Sequence, residues 1–544
     1  MKKFGAGLVL LALACALLGY AWRPAYIKAF TYFGDAWPLN YWNSNLNHAD
    51  ADFKEAKADG FNAVILVVPW GEFQPGVNPV RFNDDAYGRL ASVCQTAQAN
   101  GLAVYLRVSY LWDMYPDEQM PGEERARSLL SNDSLAPAWG QYLKRLKDST
   151  QPCGKGYFIS WEDDWHVINY LSGAKNEQES AARAQALGFD AWVRRRSPPG
   201  FLSRYADAEK RLGAYPVPDR RSPDFRAVFE WFDDQLMNRL MPVLAQSLPN
   251  ASLEVRVDDD PLYDSDKLVG WHSHHKTYKI ASSPFVMAYW APAMGAANAG
   301  EKEPAKKVID RFLYMMKKIA DKTDNKIFIE QFLFEDNTPS MAFNAAIEPG
   351  QIGRFLEDVA DALVKHTAGY ALWGRSDYDA STVFNGFFSV GTLGWRFEQG
   401  ANIARVGDAY AARLPQGASI AQSIPLGRDH FRVFAKSMTL RFRASGPGKI
   451  SVTYAGTKHQ LQIGGGQQLV RIGFPIAAAD TELSFTSESG TLDLMDISLF
   501  SFTQVSHVRD SLGNPQRHLA DIRKLNKLTD AGILEKARIF LSTR

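Results

Sequence analysis

Eight short apolar or β-branched runs, separated by stretches with helical patterning, constrain what this chain can fold into more than any other feature. They are Ala29–Phe33, Ala63–Val68, Ala103–Val108, Tyr157–Trp161, Leu253–Val257, Phe285–Tyr289, Ile327–Glu330 and Tyr370–Trp373. Between them, Asp84–Ala99, Ala136–Lys147, Pro223–Leu248, Pro304–Asp321 and Gly350–Lys365 read as helices, several entered by Asp, Ser or Pro, the residues that favour a helix start. Strand and helix signals in alternation predict parallel βα units, and eight such units close into a (β/α)8 TIM barrel of the α/β class. About ninety residues separate Glu162 from the fifth run and carry further helices such as Ala181–Arg195. An insertion of this kind falls in a βα loop, on the face where barrels place their active sites, and is expected to wall one side of a cleft.

After about Leu414 the texture changes to short alternating runs, among them Met438–Phe442, Lys449–Tyr454, Gln467–Phe474, Thr481–Thr486 and Leu492–Phe500, joined by Gly, Ser, Pro and Asp. That pattern predicts a small all-β sandwich over residues 414–505, following a barrel over residues 23–413. From Ser511 the chain is polar, with Leu519, Ile522, Leu525 and Leu528 at helical spacing, so residues 506–544 are expected to form a helical tail of unread function.

The 61 Lys and Arg against 60 Asp and Glu leave a net charge of +1, which argues against nucleic acid as a partner. Lys2 and Lys3 precede an apolar run from Phe4 to about Trp22 that no charge interrupts. Such a run means export, and it is long enough to span a bilayer as a helix, which favours an uncleaved signal anchor over a removed signal peptide. Lipidation at Leu13-Ala14-Cys15 ranks third, because Ala12 stands where a larger aliphatic residue is usual. The expected location is periplasmic or extracellular, with residues 4–22 holding the chain to the cytoplasmic membrane. Beyond this segment only Cys94 and Cys153 remain, and no CxxC or CxxH spacing offers a metal site, so no metal or other cofactor is expected. An oxidising compartment permits a Cys94–Cys153 bridge, but two unpaired core thiols are the preferred reading.

Glycoside hydrolysis needs two carboxyl groups facing each other across the scissile bond, and a barrel brings the C-terminal ends of its strands to one mouth. Two glutamates end apolar runs at suitable places: Glu162 in Tyr157-Phe158-Ile159-Ser160-Trp161-Glu162-Asp163-Asp164-Trp165, and Glu330 in Ile327-Phe328-Ile329-Glu330. A Glu in an apolar strand loses hydration unless it is paired or functional. Glutamates ending strands four and seven resemble the clan A glycoside hydrolases, retaining barrel enzymes in which the first is the acid/base and the second the nucleophile. The resemblance runs from Tyr32 to about Trp373. Within the insertion, Phe189-Asp190-Ala191-Trp192-Val193 with Phe201, Tyr205 and Leu212 is loosely similar to the β-galactosidases of family 42.

The resemblance implies that Glu330 attacks the anomeric carbon and that Glu162 protonates the leaving oxygen. It also implies roles for Tyr289 beside the nucleophile and for Trp373 as a sugar platform. Arg107 is a candidate cation beside Glu330, with a structural barrel-mouth arginine as its alternative. The clan has Asn before its acid/base Glu, to bind the sugar 2-hydroxyl; here Trp161 stands there, so another group must serve that hydroxyl, and Asp163 or Asp164 is an alternative acid.

Many of the 14 tryptophans sit just beyond the apolar runs, and Trp37, Trp70, Trp112, Trp161, Trp290 and Trp373 are expected to line a sugar-binding groove with their flat apolar faces. His272, His274 and His275 invite a metal reading, but adjacent ligands point poorly at one ion, so surface or cleft-lining histidines are expected. The leading functional expectation is a retaining glycosidase acting on a polysaccharide outside the cytoplasmic membrane, connected with exopolysaccharide production. The competing one is a catalytically inactive barrel that binds polysaccharide in an export or adhesion assembly. Replacing Glu330 by Gln is expected to abolish turnover and leave folding intact.

Overall fold

The parallel strands β1 (Ile27–Tyr32), β2 (Ala63–Pro69), β3 (Ala103–Ser109), β4 (Gly154–Ile159), β5 (Ala251–Leu253), β6 (Phe285–Trp290), β7 (Lys326–Phe332) and β8 (Thr367–Leu372) form one eight-stranded sheet in the order β6-β7-β8-β1-β2-β3-β4-β5. Its two outer strands lie side by side, the Phe285 N–H of β6 donating to Ser252 Oγ of β5 at 3.3 Å, so the sheet curls into the expected barrel. Side chains alternate as a strand demands. Ala63, Ile65, Tyr105, Phe158, Met287 and Phe328 meet inside the barrel. Their chain neighbours Val64, Leu106, Ile159 and Ile329 face outward into the helical layer. This computed structural model describes residues 26–34, 36–109, 112, 114–116, 119–120, 122–131, 135–160, 163–248, 251–253, 260–265, 267–272, 274, 276, 284–294, 296, 300–335, 344–425 and 435–542, with backbone alone at 123, 163–166, 253, 261, 268, 271 and 531–542. The expected anchor (residues 1–22) and the expected strand residues 254–257 lie outside them. No helix among the described residues is long and apolar enough to cross a membrane.

The outer layer contains α1 (Ala49–Ala58), α2 (Asp84–Ala99), α3 (Ala136–Thr150), α4 (Arg226–Gln235), α5 (Ala305–Ala320), α6 (Ile352–His366) and α7 (Leu519–Ser542). Helix α2 shows why these segments start where they do: the Asn83 side chain accepts from the Ala86 N–H, and Asp84 and Asp85 sit at the positive end of the helix dipole. Cys94 on α2 is bonded to Cys153, which follows the last turn of α3, with a Cα separation of 5.9 Å. The preferred reading of two unpaired thiols is corrected; α2 and α3 are neighbours in the helical layer, a proximity that spacing along the chain does not reveal.

In the fourth unit, helices Glu177–Ala186 and Phe189–Arg196 precede α4, and Phe189, Trp192 and Phe201 pack together as part of the core they share with the barrel. The single helix expected over Pro223–Leu248 is three pieces, because α4 passes through a π turn at Leu236–Leu240 before Met241–Ser247. Pro242 has no N–H to give to the carbonyl four residues back, which accounts for the break. The fifth unit carries an unexpected antiparallel hairpin, Asp260–Asp264 with Lys267–His272, packed against the insertion.

The sandwich has one sheet containing Asn402–Val406, Ala409–Leu414, Leu492–Gln504, Met438–Ser445 and Gln468–Phe474, and a second containing Arg396–Glu398, Ser419–Ile424, Thr481–Ser489, Gly448–Tyr454 and Thr457–Ile463. Three of these strands precede the expected start at residue 414, and Tyr378–Ser381 also pairs with Leu492–Gln504, so the β region begins well upstream of the boundary read from sequence. The expected helical tail is present as α7, and it lies against α6 rather than extending away from the barrel.

Candidate active site

The barrel's inward positions climb in layers toward the C-terminal face. One inward step above Tyr105 on β3 is Arg107; above Phe328 on β7 is Glu330; above Met287 on β6 is Tyr289; above Ala371 on β8 is Trp373. The pairing of β7 is broken at this point. On one side Ile329 pairs with Ala288 and Gln331 with Tyr289, while on the other Ile329 pairs with Tyr370 and Phe332 with Leu372. Glu330 is therefore the extra residue of a β-bulge, a device that re-aims side chains. The bulge brings two consecutive side chains to one guanidinium: Arg107 Nη2 lies 3.0 Å from Glu330 Oε2, and Arg107 Nη1 donates to Gln331 Oε1 at 2.9 Å. Arg107 Nε also donates to the Ser160 carbonyl at 3.4 Å, and its guanidinium carbon lies 5.9 Å from the Trp373 ring centre.

Both members of the ion pair have no exposed side-chain surface (0% each). Charges so placed are little screened, and each stays tolerable only because the other is there. The arrangement is an oriented carboxylate held by a fixed cation, with an indole ring near that cation. Ser160 ends β4 in the left-handed region at φ +84, which turns the chain out of the strand just before Trp161 and Glu162. Those two residues lie outside the described ones; Asp163 begins a helix, Asp163–Ser172, of which the side chain at 163 is not described.

The other sequence-selected residues divide sharply. Tyr289, Trp373 and Trp112 are half-buried, with the Trp112 N–H donating to Ser109 Oγ at 3.0 Å. Trp70 and Trp290 are corrections to the sugar-binding groove. Trp290 follows inward-facing Tyr289, so it must point outward, and its ring meets Phe312 of α5 edge-on at 4.9 Å. Trp70 stacks on Tyr142 of α3 and hydrogen-bonds Gln74, which places it in the helical layer. Trp37 is also buried, 5.7 Å from Tyr378, which in turn packs edge-on against Phe33. Residue type and nearness to a strand end did not distinguish these rings; strand parity, applied to Trp290, would have.

Sequence reasoning missed Gln331, which shares Arg107. Of the histidines expected at the surface or lining a cleft, His272 and His274 are buried and so are not surface residues, and His275 lies outside the described residues. His274 Nδ1 lies 2.6 Å and His272 Nε2 3.1 Å from the two oxygens of Asp233 on α4, and His274 Nε2 lies 3.0 Å from Asp260. Burial pulls the His274 imidazole down, but the two carboxylates at its nitrogens outweigh that and hold it well above its ordinary value. Asp233, His272 and His274 are the residues that could hold a metal ion among the described ones.

No known family model matches the chain, and no curated protein matches it. Solved structures that it is similar to include a GH5_18 protein from Streptomyces cattleya in complex with GlcNAc, at 16% identity and a TM-score of 0.41, covering 66% of this chain and 72% of that one. Another is a GH5_18 protein from Bifidobacterium longum subsp. longum, at 14% identity and a TM-score of 0.41, covering 65% and 71%. An exo-β-1,4-mannosidase from Opitutaceae bacterium strain TAV5 is similar at 12% identity and a TM-score of 0.38, covering 65% and 52%. The barrel described above is read from this chain's own strand pairing and does not rest on these likenesses.

Proposed function

We propose that this chain is a glycoside hydrolase of the retaining type, with Glu330 as the nucleophilic carboxylate. One observation carries the reading: a bulge on β7 singles out Glu330 and turns it toward Arg107, whose guanidinium carbon lies 5.9 Å from the ring of half-buried Trp373. In that reaction Glu330 attacks the anomeric carbon and expels the leaving oxygen, which takes a proton from an acid at the end of β4; water, deprotonated by the same group, then releases the sugar. Glu162 is the proposed acid, and Asp163 or Asp164 the alternative. The substrate class is a polysaccharide or oligosaccharide, with Trp373 and Trp112 as platforms. Action outside the cytoplasmic membrane, with residues 4–22 as anchor and a connection with exopolysaccharide, belongs to the same proposal; the Cys94–Cys153 disulfide agrees with an oxidising compartment.

The second reading, a barrel that binds polysaccharide without turnover, is favoured by the complete burial of Glu330 and Arg107, which is also what a purely structural ion pair looks like. A screen of aryl glycosides and polysaccharides, with binding measured in parallel, separates the two. Turnover lost in Glu162→Gln and Glu330→Gln supports hydrolysis. Tight binding with no product from the unmodified protein supports the binder.

A further inference from the structure

We infer that Asp233, His272 and His274 form a binding site for one divalent metal ion of the Zn2+ class, which fastens the hairpin of the fifth unit to helix α4. Each of the three offers one ligand atom, and these atoms all lie within 4.8 Å of one another in a buried setting, so they can converge on a single ion. His272 ends the second strand of the hairpin, His274 is two residues on, and their rings meet edge-on at 4.9 Å. The adjacent pair His274-His275, which argued against a metal in the sequence, is not the pair that converges.

The surroundings differ from those of the ion pair beside it. Asp233 has two imidazoles at its carboxylate, while its chain neighbour Asp234 is neutralised in the usual manner by Lys276 at 2.9 Å and Arg196 at 2.8 Å. Asp260 lies 3.0 Å from His274 Nε2, on the far side of the ring from Asp233. Both His274 nitrogens face carboxylates; an ion bound at Nδ1 displaces the proton there, and Asp260 then accepts the remaining Nε2–H, the arrangement by which outer carboxylates orient histidine ligands. The Phe229 ring, on α4 ahead of Asp233, stacks on His272 at 5.5 Å and fixes its plane. Two imidazoles and a carboxylate suit Zn2+ among common divalent ions, whereas Ca2+ and Mg2+ prefer all-oxygen sets.

The test uses the full chain, purified with a tag free of histidine, stripped with EDTA, exposed to ZnCl2 alone and desalted. The expected result is about one Zn2+ per folded chain by elemental analysis, with less than about a tenth in His272→Ala. Asp260→Asn leaves all three ligands in place and is expected to bind Zn2+ about 10–100-fold more weakly. Stripped protein that loses its cooperative melting and regains it with ZnCl2 also supports the site. Folded, stripped wild-type protein that takes up no Zn2+ overturns the inference and makes the cluster an Asp–His–Asp ion pair. So does an Asp260→Asn variant with wild-type affinity, a comparison that stands even where His272→Ala fails to fold.

Discussion

Glu330→Gln will do more than remove a catalytic group: it will destabilise the barrel. The variant keeps the shape of the side chain and deletes its charge, leaving Arg107 buried with the neutral acceptors Gln331 and Ser160. At 3.0 Å and an effective dielectric near 20 the attraction lost is about 5 kcal/mol, and removal of one member of a buried pair costs about 3–5 kcal/mol. The two remaining hydrogen bonds put the expected loss near the lower end, about 3 kcal/mol. Arg107→Met should cost a similar amount by stranding Glu330, while the double variant should recover about 2–3 kcal/mol relative to the sum of the two. Urea denaturation followed by tryptophan emission suits the measurement, because every tryptophan except Trp395 precedes the strands of the sandwich and the signal reports the barrel. The coupling should persist in about 1 M salt, since neither side chain is exposed to a screening atmosphere. Two single variants that each lose less than about 1 kcal/mol, with effects that simply add, would refute the reasoning. A catalytic assay on Glu330→Gln must accordingly be run well below its melting temperature, which corrects the expectation that its folding stays intact.

Three further outcomes are expected. Replacing Cys94 and Cys153 together by Ser opens a covalent loop spanning 59 positions and should cost up to about 4 kcal/mol in urea, whereas no loss would show that the bond is dispensable. Glu335 is raised by burial, but Arg517 and His507 outweigh that and hold it below its ordinary 4.5; its contribution is therefore present above about pH 4.5 and lost as the pH falls through the lower folded value. Glu335→Gln should flatten the acid limb of the stability curve, and an unchanged limb would sink the assignment. Asn526 accepts from the Tyr370 hydroxyl at 2.6 Å and donates to the Asp59 carbonyl at 2.9 Å, both buried, so Asn526→Ala should cost about 2–3 kcal/mol and lower the melting temperature.

The barrel was legible because its signal is local and repeated: an apolar run shows a strand, and a helical pattern shows what returns the chain to the next one. Glu330 was legible for the same reason, as a carboxylate in an apolar strand. What escaped was set by contacts between distant segments. The bulge that turns both Glu330 and Gln331 toward Arg107 exists only in the pairing of β7 with two partners. Asp233 and His274 are 41 positions apart and meet because the hairpin of the fifth unit folds back against the segment that leads into α4. Trp70 and Trp290 were chosen for being aromatic near strand ends, and in each the direction of the side chain, not its position along the chain, decided the outcome.

Helix α7 alters what the domain boundaries mean. A (β/α)8 barrel needs a helix after its eighth strand, yet β8 leads instead into the sandwich. The missing cover comes from α7, which packs beside α6 and reaches across β8 to β1 and α1: Asn526 meets Tyr370 and Asp59, and Asp530 pairs with Lys28 of β1 at 2.6 Å. Asp59, at the end of α1, is fully buried and takes Arg509 at 3.0 Å and Arg523 at 2.8 Å, both from the returning chain. The sandwich is thus an insertion within the eighth barrel unit, held by the barrel at both ends, and not a C-terminal appendage. That geometry sets it beside the candidate site. Tyr378, at the first strand to join it, packs against Trp37 and Phe33; Asn40 donates to the Ser381 carbonyl at 2.9 Å; and Glu335, just past β7, is gripped by His507 and Arg517. The wall of the mouth along β7, β8 and β1 is therefore built in part by segments that follow the barrel strands, Tyr378–Ser381 from one side of the sandwich and His507 with Arg517 from the other.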